Sequence, residues 1–129
     1  MYLRSPFSSL SGSQSYTRSV KFSNGATVPV EVMDTPELRA TGMQFRTSMD
    51  RPMLFVFPDE AKRSYHMRNV RMPLDLILMN SGGWVLSMHS MMPSQIQTGG
   101  SSLHSQAIEA PAGWARQNNL KIGDQIQWG

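Results

Sequence analysis

The sequence predicts a mainly β (α+β) domain: a small antiparallel β-barrel or curved sheet with two short helices. Three observations predict it. Apolar and polar residues alternate with period two from Tyr16 to Phe22, the pattern of a half-buried strand. Leu74–Met79 and Trp84–His89 are apolar runs joined by Asn80-Ser81-Gly82-Gly83, which reads as a hairpin. Helical signals are confined to two stretches, neither longer than a few turns.

Residues 1–15 hold six serines, with Tyr2, Leu3, Phe7 and Leu10 spaced among them. That composition reads as an extended Ser-rich arm whose apolar residues can dock, leaving residues 16–129 as a single domain. After Tyr16–Phe22, Asn24-Gly25 supplies a tight turn, since both residues tolerate positive φ. Ala26–Met33 returns with Val28, Val30 and Val32 on one face, and Pro29, which lacks an N–H, assigns this strand to an edge or a bulge. Asp34-Thr35-Pro36-Glu37 starts a helix: Asp34 can cap, Pro36 suits the first turn, and Gly42 ends it. Leu38, Thr41 and Phe45 would face the sheet. Arg51-Pro52 launches a strand through Phe57, stopped by Pro58. Arg63–Val70 reads as a further strand, with His66, Arg68 and Val70 on one side. From Ser90 to Ser105 the serines and glycines read as a long loop. Leu103–Ala110 is a strand, Pro111–Asn118 a short helix and Gln125–Trp128 the closing strand.

The chain's 129 residues suit one core. Twelve Lys and Arg against nine Asp and Glu give +3, an excess too mild and too scattered to predict specific nucleic-acid binding. Cysteine is absent, which removes disulfides, thiol nucleophiles and thiolate metal sites together. The eleven methionines fall mainly in apolar runs, where a flexible thioether fills irregular gaps. No secretory signal and no membrane-length apolar run is visible. The expectation is a protein made in the cytoplasm, with no membrane partner.

Several segments resemble a known family. Thr35-Pro36-Glu37, Gly42-Met43-Gln44-Phe45-Arg46, Met53–Phe57, Met67-Arg68-Asn69 and Pro73–Ile77, with Gly113, Leu120, Gly123 and Asp124, resemble the domain of unknown function 192 in order and spacing, from Val20 to Trp128. The resemblance implies a compact β-rich domain with two short helices and brings no established reaction. Members are often exported or membrane-anchored, whereas this chain shows no signal. It also carries His66 beside Tyr65 where an aromatic pair is more usual, and its Ser90–Ser102 loop lacks the family's proline-rich, cysteine-containing character.

Candidate chemistry is sparse. His66, His89 and His104 lack the close pairing of a zinc site, so no metal and no cofactor is expected. Asp75, between Leu74 and Leu76 in an apolar strand, needs a partner if buried, and Arg46, Arg68 and Asn69 are candidates. They form either a structural ion pair or, with Tyr65 and His66, the polar floor of a pocket. No serine stands in a Gly-x-Ser-x-Gly elbow, and Asp59-Glu60 reads as a solvated turn. Lys62, Arg63, Arg68 and Arg71 form a modest basic edge. Tyr65, Trp84, Trp114 and Trp128 read as core and rim residues before they read as a sugar platform.

These features predict a non-enzymatic structural module, a subunit of a larger assembly such as a phage virion, with Tyr2, Leu3, Phe7 and Leu10 contacting neighbouring protein subunits. The alternative is a soluble small-ligand-binding domain, for a carbohydrate among other classes, with its pocket between the Ser90–Ser102 loop and Tyr65–Asn69.

Overall fold

The computed structural model describes residues 15–93, 98–99 and 102–128. The elements run β1 (Tyr16–Phe22), β2 (Thr27–Met33), α1 (Pro36–Thr41), β3 (Met53–Ala61), β4 (Ser64–Tyr65), β5 (Leu74–Met79), β6 (Val85–Met91), β7 (Thr98–Gly99), β8 (His104–Pro111), α2 (Trp114–Gln117) and β9 (Ile126–Trp128). Seven strands form one sheet in the order β9-β1-β2-β3-β8-β5-β6, and β4 pairs with β7 apart from it. All pairings are antiparallel except β2 with β3. The sheet curls into a half-barrel. Trp84 bridges to Gln125, so the two ends of the sheet meet at one rim.

Burial divides the core by strand alternation. Ile126, Val20, Val30, Leu54, Ile108, Ile77 and Val85 pack in one cluster. Every strand of the large sheet contributes to it, so it fills the inside of the curl. The second cluster takes Met33, Phe55, Ala107, Leu76 and Leu78, joined by Met43, Met67 and Val70 from the connecting segments. That cluster covers the outer face of the central strands. Because β5 is covered on both faces, Leu76–Met79 are all buried, which is why this run shows no polar alternation.

Several expectations hold in detail. The Asn24-Gly25 turn forms, with Gly25 at φ 97° and the Asn24 side chain accepting from Ala26 N at 2.9 Å. Pro29 pairs with β1 alone, because β3 joins β2 only from Glu31 onward, so its missing N–H costs no ladder bond. Others are corrected. The helix cap is Thr35, whose hydroxyl accepts from Leu38 N, while Asp34 accepts from the Tyr16 hydroxyl instead. Phe45 faces solvent, 74% exposed, and Met43 takes the buried place beside it. β3 runs past Pro58 to Ala61, with its register shifting against β8 between Val56 and Ala61. Arg63–Val70 is a strand only at Ser64–Tyr65, and Asn69 then turns the chain at φ 58°. His66 therefore shares no sheet face with His89.

Candidate functional site

β8 lies between β3 and β5, so its residues are enclosed from both sides. Glu109 sits opposite Met53 and Leu76. Two residues from Ala107, it projects onto the same outer face, among the methionines and leucines of the second cluster. It is 6% exposed. Neither a hydrogen bond nor an ion pair reaches its carboxyl from the described residues. Burial pushes that carboxyl up to about 7, because an anion there loses its hydration without compensation.

Glu109 opens onto a cavity of about 430 Å³. Its walls come from two places. One is the end of α1 and the turn after it, Arg39 to Gln44; Gly42, at φ 47°, allows this turn. The other is Arg63–His66, with Phe55 and Phe57 of β3 between them.

The polar side chains around the cavity are mostly committed. The Tyr65 hydroxyl lies 2.7 Å from His104 Nε2, and His104 Nδ1 lies 2.9 Å from the Ser102 carbonyl oxygen. A carbonyl only accepts, so Nδ1 carries the proton and Nε2 accepts from Tyr65. His104 is fully buried, and burial holds its ionisation below the ordinary range, favouring the neutral ring. Burial likewise raises that of Tyr65. Arg63 donates to the His104 carbonyl at 2.6 Å and pairs with Asp59 at 2.7 Å. Arg39 donates to the Val56 carbonyl at 2.8 Å. The Arg39 and Arg63 guanidiniums lie 5.2 and 3.8 Å, respectively, from the Phe57 ring centroid. Arg39 has no carboxylate partner among the described residues.

The structure separates the residues singled out from the sequence. Tyr65 and His66 line the cavity. Asn69 reaches its rim through a 3.0 Å bond to Gln44 Oε1. Arg68 is exposed, and its backbone N–H donates to His66 Nδ1. Arg46 forms a two-bond ion pair with Glu31, at 2.8 and 3.0 Å; that pairing, ahead of a bond from Ser15, holds the Glu31 carboxyl below the usual range. Tyr2, Leu3, Phe7 and Leu10 lie outside the described residues, as does part of the Ser90–Ser102 loop. The described lining of the cavity comes from α1, the turn after it and Arg63–His66; Thr98–Gly99 of the Ser90–Ser102 loop pairs with Ser64–Tyr65 in that wall.

Asp75 is neither paired with Arg46, Arg68 or Asn69 nor part of the cavity. Its carboxylate accepts from Gly113 N at 3.1 Å and Ala115 N at 3.0 Å, anchoring the start of α2. Asp75→Ala removes the one oxygen, Oδ2, that accepts both bonds and is expected to cost about 1–2 kcal/mol in thermal or urea unfolding. Asp75→Asn keeps an acceptor oxygen and should cost less than half as much. Equal losses would mean that the charge, not the acceptor, is what α2 needs.

Of the basic edge, Lys62, Arg68 and Arg71 are exposed, while Arg63 is drawn inward by the His104 carbonyl. Trp114 packs edge-on against Phe22 at 5.9 Å, while Trp84 and Trp128 stay partly exposed. Among the described residues no three His, Asp or Glu side chains converge as a metal site, and no helix is long and apolar enough to cross a membrane.

The family model DUF192, described as Uncharacterized ACR, matches residues 19–128. A UPF0127 protein of Thermococcus sibiricus is 27% identical over 103 residues, which are 77% of this chain and 65% of that protein. The chain thus spans just under two thirds of that curated relative's length. Two crystal structures share the fold. One is a candidate transcription regulator from Sinorhizobium meliloti 1021, with TM-score 0.80 and 24% identity over 88% of this chain and 95% of that one. The other is a protein of unknown function from Novosphingobium aromaticivorans, with TM-score 0.77 and 23% identity over 96% and 90%.

Proposed function

The chain belongs to the DUF192 family, and we propose that it is a small-molecule-binding module whose ligand sits in the cavity above Glu109. One observation carries this reading: a carboxyl 6% exposed, unpartnered among the described residues, at the floor of a cavity of about 430 Å³. A buried acid without a partner works against folding. A ligand that donates a hydrogen bond or brings a positive charge would supply the partner that the domain withholds. The cavity's size falls within the range of small-molecule sites, and its lining combines the aromatic rings of Phe55, Phe57 and Tyr65 with polar and charged side chains.

A binding role fits better than a catalytic one, since the groups beside Glu109 are already engaged. Tyr65 donates to His104, and Arg63 is held by Asp59 and the His104 carbonyl. The assembly-subunit reading rests on the arm residues Tyr2 to Leu10, outside the described residues, and the cavity gives the ligand-binding reading the stronger physical support. The test is amide chemical-shift mapping of the whole chain against amines, amino acids, carboxylic acids and simple sugars. Binding should shift Thr41–Gln44 and Ser64–His66 together. If no compound at millimolar concentration moves them, the reading fails.

A further inference from the structure

The cavity is lined by groups of opposite charge that differ in burial. Glu109 is at its buried floor. Arg39, half-buried, lines the same cavity. The second guanidinium, Arg63, is offset by Asp59 at 2.7 Å. Arg39 is not offset: its one described side-chain hydrogen bond goes to the Val56 carbonyl, which leaves donors of its planar fork available. The rings of Phe55 and Tyr65 line the same cavity.

Each simple class of ligand meets an obstacle here. A lone cation would pair with Glu109 but share the cavity with an uncompensated guanidinium. A lone anion would pair with Arg39 and then place its body over a buried acid. A neutral apolar molecule would fill the walls and leave Glu109 as unpartnered as before. A molecule with both charges at its two ends meets neither repulsion, and its positive end gains from the ring faces as well.

Resting on the reading of this cavity as a ligand site, we infer that its ligand is a small zwitterion of the amino-acid type, its ammonium against Glu109, its anionic group toward Arg39 and its apolar body along Phe55 and Tyr65. The ammonium donates to a carboxylate that has no other donor, and Arg39 offers the fork geometry that a carboxylate accepts in two bonds.

The experiment titrates the intact chain with L-phenylalanine, L-leucine and γ-aminobutyrate, which differ in body and in charge spacing. Phenethylamine and 3-phenylpropanoate serve as singly charged controls. Affinity is read from the amide shifts of Thr41–Gln44 and Ser64–His66. At least one zwitterion should bind tenfold or more tightly than either control. Glu109→Gln should weaken the zwitterion and phenethylamine alike, by tenfold or more. Arg39→Gln should weaken the zwitterion by a similar factor and spare phenethylamine. The inference is overturned if a singly charged control binds as well as every zwitterion, or if Arg39→Gln weakens both compounds equally. Binding by a control alone sinks the zwitterion and leaves the ligand site standing. Silence from all five probes removes both.

Discussion

Replacing Glu109 with Gln is expected to stabilise the fold by about 3 kcal/mol at about pH 8 and to change little at about pH 3.5. Burial moves the carboxyl from its ordinary 4.5 up to about 7. Below the lower value both folded and unfolded chains hold the proton, and nothing is lost. Between the two values the unfolded chain releases its proton while the folded chain retains it, so stability falls as pH rises. Above the upper value the folded chain carries a buried anion and bears the full penalty, about 1.4 kcal/mol for each pH unit between the two. Gln keeps the shape and has no proton to lose. His104 acts in the opposite direction: burial lowers its ionisation, so its contribution is present above its ordinary 6.5 and lost as pH falls. That loss is common to both proteins and cancels in the difference. Urea unfolding of both proteins across this pH range is the measurement. Parallel stability curves would show that Glu109 is hydrated or paired in solution, and the argument for the cavity would lose its foundation. The stability gain should also come with a loss of ligand affinity, a trade-off expected of a binding residue and not of a structural one.

The magnitude also says why such a residue is tolerable. About 3 kcal/mol is no more than one or two fully buried aliphatic side chains contribute, and β5 alone buries Leu74, Leu76, Ile77 and Leu78 completely. The fold can carry Glu109 at a net loss. No described residue offers its carboxyl a partner that repays it.

How much of this was legible in the sequence depends on whether the signal was local. Period-two alternation located β1 and β2, and the glycine turn located the β5–β6 hairpin, because these patterns are local; β8 is buried along nearly its whole length and shows no such alternation. The β3 error has a local cause. Pro58 lies beyond Val56, in the stretch where pairing with β8 is irregular, so its missing N–H ends nothing. Arg63–Val70 alternates convincingly, yet Met67 and Val70 are buried as a cap over the outer face and not as strand residues. For the site, the sequence argument selected Asp75, an acid flanked by leucines. The same argument applies to Glu109, flanked by Ile108 and Ala110, and would have found it. What it could not supply is the partner. Asp75 meets the backbone of residues 113 and 115, and Glu109 meets a cavity; both depend on long-range packing. Arg39 was invisible for the same reason, since nothing in a helical Pro36–Thr41 says that its third position after Pro36 overlooks Phe57.

Gly83→Ala is expected to cost about 3 kcal/mol, by a mechanism unconnected with the cavity. Gly83 adopts φ 83°, and a Cβ there would stand 2.6 Å from the Ile126 carbonyl oxygen and 3.0 Å from its side chain. The obstacle is backbone, so no rotamer change relieves it. The same carbonyl region closes the half-barrel: Ile126 N donates to Gly83 O, Val85 N to Asp124 O and Gly123 N to Val85 O, at 2.7–2.9 Å. Gly25 provides the control. It has φ 97° but nothing within 4 Å of its Cβ position, so Gly25→Ala bears only the conformational cost, about 1–2 kcal/mol. Urea unfolding should therefore rank Gly83→Ala well below Gly25→Ala, with faster amide exchange at Val85 and Ile126 in the first variant alone. Equal losses would mean that the seam yields easily and that the meeting of the sheet's two ends adds little. Because Glu109 lies on the outer face of the central strands and the seam at the sheet's ends, neither variant should shift the amides of Tyr65 or His66. Closure of the curl and formation of the cavity would then be separable properties of one sheet, the first a matter of stability and the second of ligand recognition.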